Sequence, residues 1–323
     1  MNRFSGLVFA LVVPCLLSTV PVSAEEAPQL FPGSRNPMKK WEVEPITDGI
    51  YGFRHTFYRN IFIVTDEGVI VVDPLNVEAA NVLREEIREI TDLPVKFVAY
   101  THSHWDHVAG GQVFKDEGAK FIAQEECAEH FRDNPNSEVV YPDVTYEDEY
   151  EISLGGKTLE MFYFGPSHDS CLVAMLVEPA NMLFLADIAN PPSGWEMFYN
   201  PAVSEDRVWH MVQFFTRLQG LVEERDVETV IGGHMTMGTD PETGRRTIVP
   251  GLMGPSTVVA ERLAFWQSVI DAVKAELAAG TPPAEVPDRL VEKQVLADRI
   301  LGYEPDKMRI FLRRITSYTQ TGE

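Results

Sequence analysis

The chain has 323 residues, 45% hydrophobic and 24% charged, with 22 glycines and 22 prolines. That excludes a collagen-like or disordered composition and allows one large domain or two ordinary ones without disulfide support. Against 27 basic residues stand 49 acidic ones, a formal charge of −22 spread along the chain, and such a field argues against a nucleic-acid partner.

Residues 1–24 read as a secretory signal peptide: Arg3 gives a positive start, Leu7 to Val20 is mostly apolar, and Val22-Ser23-Ala24 supplies small residues at the cleavage position. The apolar run is too short to span a hydrocarbon core of about 30 Å, so the expected product is periplasmic or secreted, with no integral membrane segment. Removing these residues deletes Arg3, Cys15 and no acid, which leaves two of the three cysteines. Cys127 falls in a helical stretch and Cys171 in an apolar strand, which reads as two buried thiols. Export permits a disulfide, and spacing alone does not decide whether they pair.

Residues 25–44 form a proline-rich leader. Strand-like runs follow at Ile50–Arg54, Asn60–Thr65 and Val69–Asp73, bounded by Asp48-Gly49 and Asp66-Glu67-Gly68 turn signals. Residues 77–90 switch to helical spacing, with Ala79, Leu83, Ile87 and Ile90 on one face and Asn76 as N-cap. Strand Val95–Thr101 and helix Glu125–Arg132 come next, then strands near Thr145–Ile152, Leu159–Phe164, Cys171–Glu178 and Met182–Ala186. Ser204 is expected to open a helix running to about Leu221, with Glu205 and Asp206 in its first turn, and Val227–Ile231 is a short strand. Two similar batches of strands and helices point to two sheets packed face to face with helices outside. Residues 255–323 are wholly helical in pattern, through Val259, Leu263, Trp266, Ile270 and later Met308, Phe311, Leu312 and Ile315.

Five of the eight histidines fall in one pattern. His102-Ser103-His104-Trp105-Asp106-His107 leaves the C-terminal end of a strand, and in an extended stretch His102 and His104 point the same way. His168, Asp187 and His234 each stand at a later strand-to-loop junction. Imidazole and carboxylate donors suit zinc, and there is no CxxC pair. His130 and His210 sit in helical stretches and are given no catalytic role.

These residues resemble the metallo-β-lactamase-fold superfamily over about residues 45–240, with the HxHxDH motif at His102 to His107 and an aspartate at position 187. The resemblance implies an α/β fold, an αβ/βα four-layer sandwich, over residues 45–254, with residues 255–323 as a helical C-terminal extension. It also implies two zinc ions per chain. His102, His104 and His168 would serve the first, Asp106, His107 and His234 the second, and Asp187 would bridge. Asp73 would support the site without binding metal. Such metals supply a hydroxide nucleophile near neutral pH, with Asp106 as the catalytic carboxylate that orients it and moves its proton.

Asp187 also narrows the chemistry. True β-lactamases of this superfamily usually carry Cys or Ser there, whereas a bridging Asp resembles glyoxalase II, lactonases and related hydrolases. The expected activity is hydrolysis of a carboxylic ester, lactone or thioester. The alternatives are β-lactam hydrolysis and a mononuclear iron oxidoreductase resembling persulfide dioxygenases. The candidate pocket comprises His55, Phe57, Tyr58 and Trp105, with Trp195, Phe198 and Tyr199 in a proline-bounded loop after Asp187, and it suits a bulky, apolar small-molecule substrate. The C-terminal helices offer a face for homo-oligomer formation.

Overall fold

A computed structural model describes residues 29–30, 37–189, 191, 207–239, 246–249, 253–300 and 303–322. The expected signal peptide, Trp195, Phe198, Tyr199 and the expected helix start at Ser204 to Asp206 lie outside the described residues. The strands and helices, in chain order, are β1 (Gln29–Leu30), β2 (Pro37–Met38), β3 (Trp41–Thr47), β4 (Ile50–His55), β5 (Tyr58–Val64), β6 (Val69–Val72), α1 (Val77–Ile90), β7 (Val95–Ala99), α2 (Trp105–Val108), α3 (Gln112–Asp116), β8 (Lys120–Gln124), α4 (Glu125–Asp133) and β9 (Val144–Tyr146). They continue with β10 (Glu149–Leu154), β11 (Lys157–Tyr163), β12 (Val173–Glu178), β13 (Met182–Leu185), α5 (Val208–Glu224), β14 (Thr229–Gly232), β15 (Thr236–Thr239), β16 (Arg246–Val249), β17 (Met253–Pro255), α6 (Thr257–Ala278), α7 (Val286–Glu292) and α8 (Pro305–Thr321).

Two mixed sheets form the centre, one of seven strands in the order β3-β4-β5-β6-β7-β8-β9 and one of six in the order β10-β11-β12-β13-β14-β17. In the first, strands pair antiparallel through β6 and parallel from β6 to β9. In the second, only β13 and β14 pair in parallel. The sequence explains why both sheets are interior. Ile70 and Val72 of β6 face the intersheet core while Val69 and Val71 face the helices, and β12 alternates Val173, Met175 and Val177 inward with Ala174 and Leu176 outward. Strands buried on both faces read as unbroken apolar runs. The result is the four-layer αβ/βα sandwich, with α1, α3 and α4 on one side and α5 to α8 on the other.

Helix α1 spans Val77–Ile90, and Asn76 caps it by accepting from Ala79 N at 3.0 Å. The stretch expected as one strand near Thr145–Ile152 is two. It breaks at Glu147-Asp148, and β9 joins the first sheet while β10 joins the second. Cys127 and Cys171, read as buried thiols, are joined in a disulfide with their Cα atoms 5.3 Å apart. Both are fully buried; α4 and the start of β12 bring them together across 44 residues, a proximity that neither local pattern carries. Strand β3 begins at Trp41, within the stretch read as leader, and α6 to α8 share one apolar cluster with β12, β13 and α5.

Candidate metal centre

Every residue of the histidine pattern sits at one edge of the sandwich. Asp73 follows β6, His102 and His104 follow β7, Asp187 follows β13 and His234 follows β14, while His168 lies on the loop between β11 and β12. After His104 the chain turns into the short helix α2, with His107 N donating to His104 O at 3.0 Å. That turn separates Asp106 and His107 from His102 and His104. Gly233 lets the ends of β13 and β14 approach, since a Cβ there would lie 2.9 Å from Ala186 Cα. Asp187 and His234 are thereby held side by side.

Asp187 is the hub. Its Oδ2 lies 3.3 Å from His102 Nε2 and 3.2 Å from His168 Nε2. Its Oδ1 lies 3.2 Å from His107 Nε2 and 2.6 Å from His234 Nε2. Two nitrogen pairs also face each other, His168 Nε2 with His104 Nδ1 at 3.2 Å and His107 Nε2 with His234 Nε2 at 3.1 Å. Among the described residues, donor atoms within 4.8 Å of one another form three groups: His102, His104, His168 and Asp187; Asp106, His107 and His234; and, drawing a ring from each of these, Asp73, His102 and His107.

The surroundings set which nitrogen is presented. Thr101 donates from N and Oγ1 to Asp73 at 2.9 and 2.5 Å, and Thr101 Oγ1 lies 2.9 Å from His102 Nδ1. With its own proton committed to Asp73, that hydroxyl accepts from His102 Nδ1, which leaves Nε2 as the lone-pair nitrogen facing Asp187. Asp73 Oδ2 lies 3.4 Å from His107 Nδ1 and orients that ring in the same sense. Burial, helped by His102 and His168, pushes His104 down to about 3, so its imidazole is neutral at pH 7. Burial pulls His107 down, but Asp187 and Asp73 outweigh it and hold it well above the usual range. Burial likewise opposes ionisation of Asp187, and His107, His234 and His102 overcome it.

This donor set fits a metal. The buried atoms His102 Nε2 and Asp187 Oδ1, both within the group, make no hydrogen bond. Four imidazole nitrogens within 3.3 Å of one carboxylate are a donor set that suits divalent cations.

Other expected residues divide. Tyr58 is at the site, its ring centroid 5.0 Å from that of His234 and 6.0 Å from that of His107, with its hydroxyl raised by burial, Asp106 and Asp187. Phe57 is exposed, and its carbonyl accepts from Met235 N at 3.0 Å. Exposed Trp105 lines a cleft of about 350 Å³ with Ser103, His104, Asp106 and His130. His130, given no role from sequence, lines the same cleft. His55 is buried, its Nε2 3.8 Å from Glu78 Oε2 in the first turn of α1.

Three positioning residues escape a sequence reading. Asp169 is buried and accepts from Ser103 N, Ser103 Oγ and Cys171 N at 2.8, 2.7 and 2.8 Å. Buried Arg59 donates to His234 O at 3.4 Å, and buried Arg262 of α6 donates to Ile188 O at 3.0 Å, next to Asp187. Only Asp169 had a local signal, its place beside His168; the two arginines act on carbonyls 175 and 74 residues away.

The family model of the metallo-beta-lactamase superfamily matches residues 56–234. A metallo-beta-lactamase from Pontibacter korlensis superposes with a TM-score of 0.58 at 19% identity, covering 70% of this chain and 99% of that one. The DIM-1 metallo-beta-lactamase superposes with a TM-score of 0.56 at 16% identity, covering 71% and 97%. At such identities the likeness is one of fold. The 2,4-dinitroanisole O-demethylase subunit alpha of Nocardioides sp. (strain JS1661) is 27% identical over 158 residues, 47% of this chain and 48% of that protein. The chain therefore spans about half the length of that curated relative.

Proposed function

The chain belongs to the metallo-beta-lactamase superfamily, and on that premise we propose that it is an exported metal-dependent hydrolase of carboxylic ester or lactone bonds, with two zinc ions at the site. The observation that carries the reading is the Asp187 carboxylate, with two imidazole nitrogens facing each of its oxygens. His102, His104 and His168 would hold one zinc and Asp106, His107 and His234 the other, with Asp187 shared. Bound zinc supplies Lewis acidity and a water whose pKa falls to about 7, which removes the need for a serine or cysteine nucleophile.

The remaining work belongs to side chains. Asp106 is exposed at the mouth of the cleft, where its carboxylate can take a proton from the attacking water and return it to the leaving oxygen. Neutral His104 offers a lone pair at working pH. Tyr58, its hydroxyl raised by burial, Asp106 and Asp187, stays protonated beside the site. Export rests on the signal-peptide pattern and is supported by the disulfide, a bond that persists in oxidising compartments. Among the described residues no helix is long and apolar enough to cross a membrane.

A second reading, cleavage of an aryl alkyl ether, is favoured by the exposed indole of Trp105 along the cleft, a surface on which an aromatic ring can stack. The relative named as an O-demethylase supports it. The test is a screen of zinc-loaded protein against esters, lactones, thioesters, aryl ethers, phosphodiesters and β-lactams, with elemental analysis. Ester or lactone turnover, two zinc per chain, loss on chelation and restoration by zinc are expected. Asp106→Asn should lose roughly 100-fold or more in kcat while retaining most metal, a loss in the range of general acid–base catalysis. Full activity in metal-free protein, or one iron per chain, would overturn the proposal.

A further inference from the structure

The His168 loop is tied to the rest of the site by two different bonds that converge on its residues 169–171. Asp169 spans the two loops that carry the first group of donors. Its Oδ2 accepts both the backbone N–H and the hydroxyl of Ser103, the residue between His102 and His104, at 2.8 and 2.7 Å. Its Oδ1 accepts Cys171 N at 2.8 Å, which folds its own loop back on itself. Two residues on, Cys171 is covalently joined to Cys127 of α4. Tyr163 adds a hydrogen bond from its hydroxyl to Ser170 O at 2.7 Å, and Val173 N donates to Thr101 O at 2.9 Å. The carboxylate is 4% exposed and both cysteines are fully buried, so water does not replace either tie.

We propose that Asp169 and the Cys127–Cys171 disulfide act as one clamp that sets the spacing between the His102/His104 loop and the His168 loop, and so governs metal retention at the first group alone. The second group hangs on other anchors. His107 is oriented by Asp73, and the backbone of His234 is held by Arg59 from β5. Loss of the clamp therefore frees His168 relative to His104, now 3.2 Å apart, and leaves His107 and His234 where they are. Asp169 is a positioning residue, acting through the backbone of Ser103 and not by touching substrate. The inference rests on the reading that these histidines bind metal.

The test uses zinc competition against a chelating indicator on the full chain, which resolves two equivalents in the unaltered protein. Asp169→Ala should weaken one equivalent by about 10- to 100-fold, the usual effect of removing an outer partner of a metal ligand, with the other unchanged. Asp169→Asn keeps one acceptor oxygen for Ser103, serves as the test should the alanine variant fail to fold, and should weaken the same equivalent by a smaller factor. Cys127→Ala combined with Cys171→Ala should act on that equivalent too, and adding Asp169→Ala should cost less than the product of the separate losses. Placed in a His234→Ala background, Asp169→Ala or Asp169→Asn should weaken the remaining equivalent; in a His104→Ala background neither should have an effect. Equal weakening of both equivalents, or none, overturns the clamp. An unaltered protein that binds no zinc overturns the metal reading itself, and the clamp with it.

Discussion

Asp73 and Asp187 take left-handed backbone conformations, φ 51° and 60°, in a region that costs a side-chain-bearing residue about 1–2 kcal/mol. Aspartate tolerates the region better than most residues, and here each carboxylate gathers several partners. Asp73 takes both donors of Thr101, and its own carbonyl accepts from buried Asn60 Nδ2 at 2.5 Å. Asp73→Ala leaves the two Thr101 donors buried without the acceptor they have now, and it should cost roughly 2–6 kcal/mol in urea denaturation of the metal-free protein, from about 1–3 kcal/mol per orphaned group. Asp73→Asn suits the backbone and should be milder in stability. It still replaces one acceptor with an N–H₂ group facing Thr101 or His107, so the proton arrangement on His102 or His107 is lost and zinc affinity should fall by about 10-fold or more. An Asp73→Asn protein with unaltered zinc affinity would refute that chain of hydrogen bonds. The His102 to His107 motif was legible because its residues are neighbours in sequence. The role of Asp169 is not legible in this way, because it depends on Ser103, 66 residues earlier, and on a fold that brings the two loops together.

At the scale of elements, apolar runs made β6, β12 and β13 visible, and the 3.6-residue pattern with its Asn76 cap placed α1 at 77–90. What a run cannot display is which sheet it joins. The Glu147-Asp148 break between β9 and β10 is two residues of acidic turn, and there the chain passes from one sheet to the other. Strand β8 and helix α3 are short and were not apparent from pattern alone. The C-terminal helices gave a clear periodicity but no hint of their reach. Trp266 of α6 is fully buried in a cluster shared with β12, β13 and α5, while Arg262, one turn earlier, donates to the carbonyl after Asp187. These two residues separate packing from positioning. Trp266→Ala should cost about 3–5 kcal/mol by the usual penalty for a large core truncation, with the zinc stoichiometry of the folded protein intact. Arg262→Met keeps much of the packed volume but leaves Ile188 O without its guanidinium, so it should lower zinc affinity as well as stability. Equal zinc affinity in the Arg262→Met and unaltered proteins, measured by competition, would mean that α6 packs behind the site without positioning Asp187.

For the molecule as a whole, the formal charge of −22 and the proposed metal centre act in opposite directions on a substrate. Far from the site, 49 acidic side chains against 27 basic ones repel an approaching anion. Within the site, two divalent ions would add four positive charges beside Asp73, Asp106 and Asp187, an attraction confined to a few ångströms. Salt separates the two. Raising ionic strength from about 10 mM to about 150 mM shortens the screening length from about 30 Å to about 8 Å, which removes the long-range repulsion and leaves contacts inside the cleft largely intact. For a neutral ester kcat/KM should hardly move. For an ester of matched reactivity bearing a distant carboxylate it should rise, by roughly 3- to 10-fold, because only encounter is being relieved. A fall with salt for the anionic ester would mean that attraction at the centre, and not the overall charge, controls its approach. Parallel behaviour of the two esters would mean that the surface charge is arranged so that none of its field reaches the mouth beside Trp105 and Asp106.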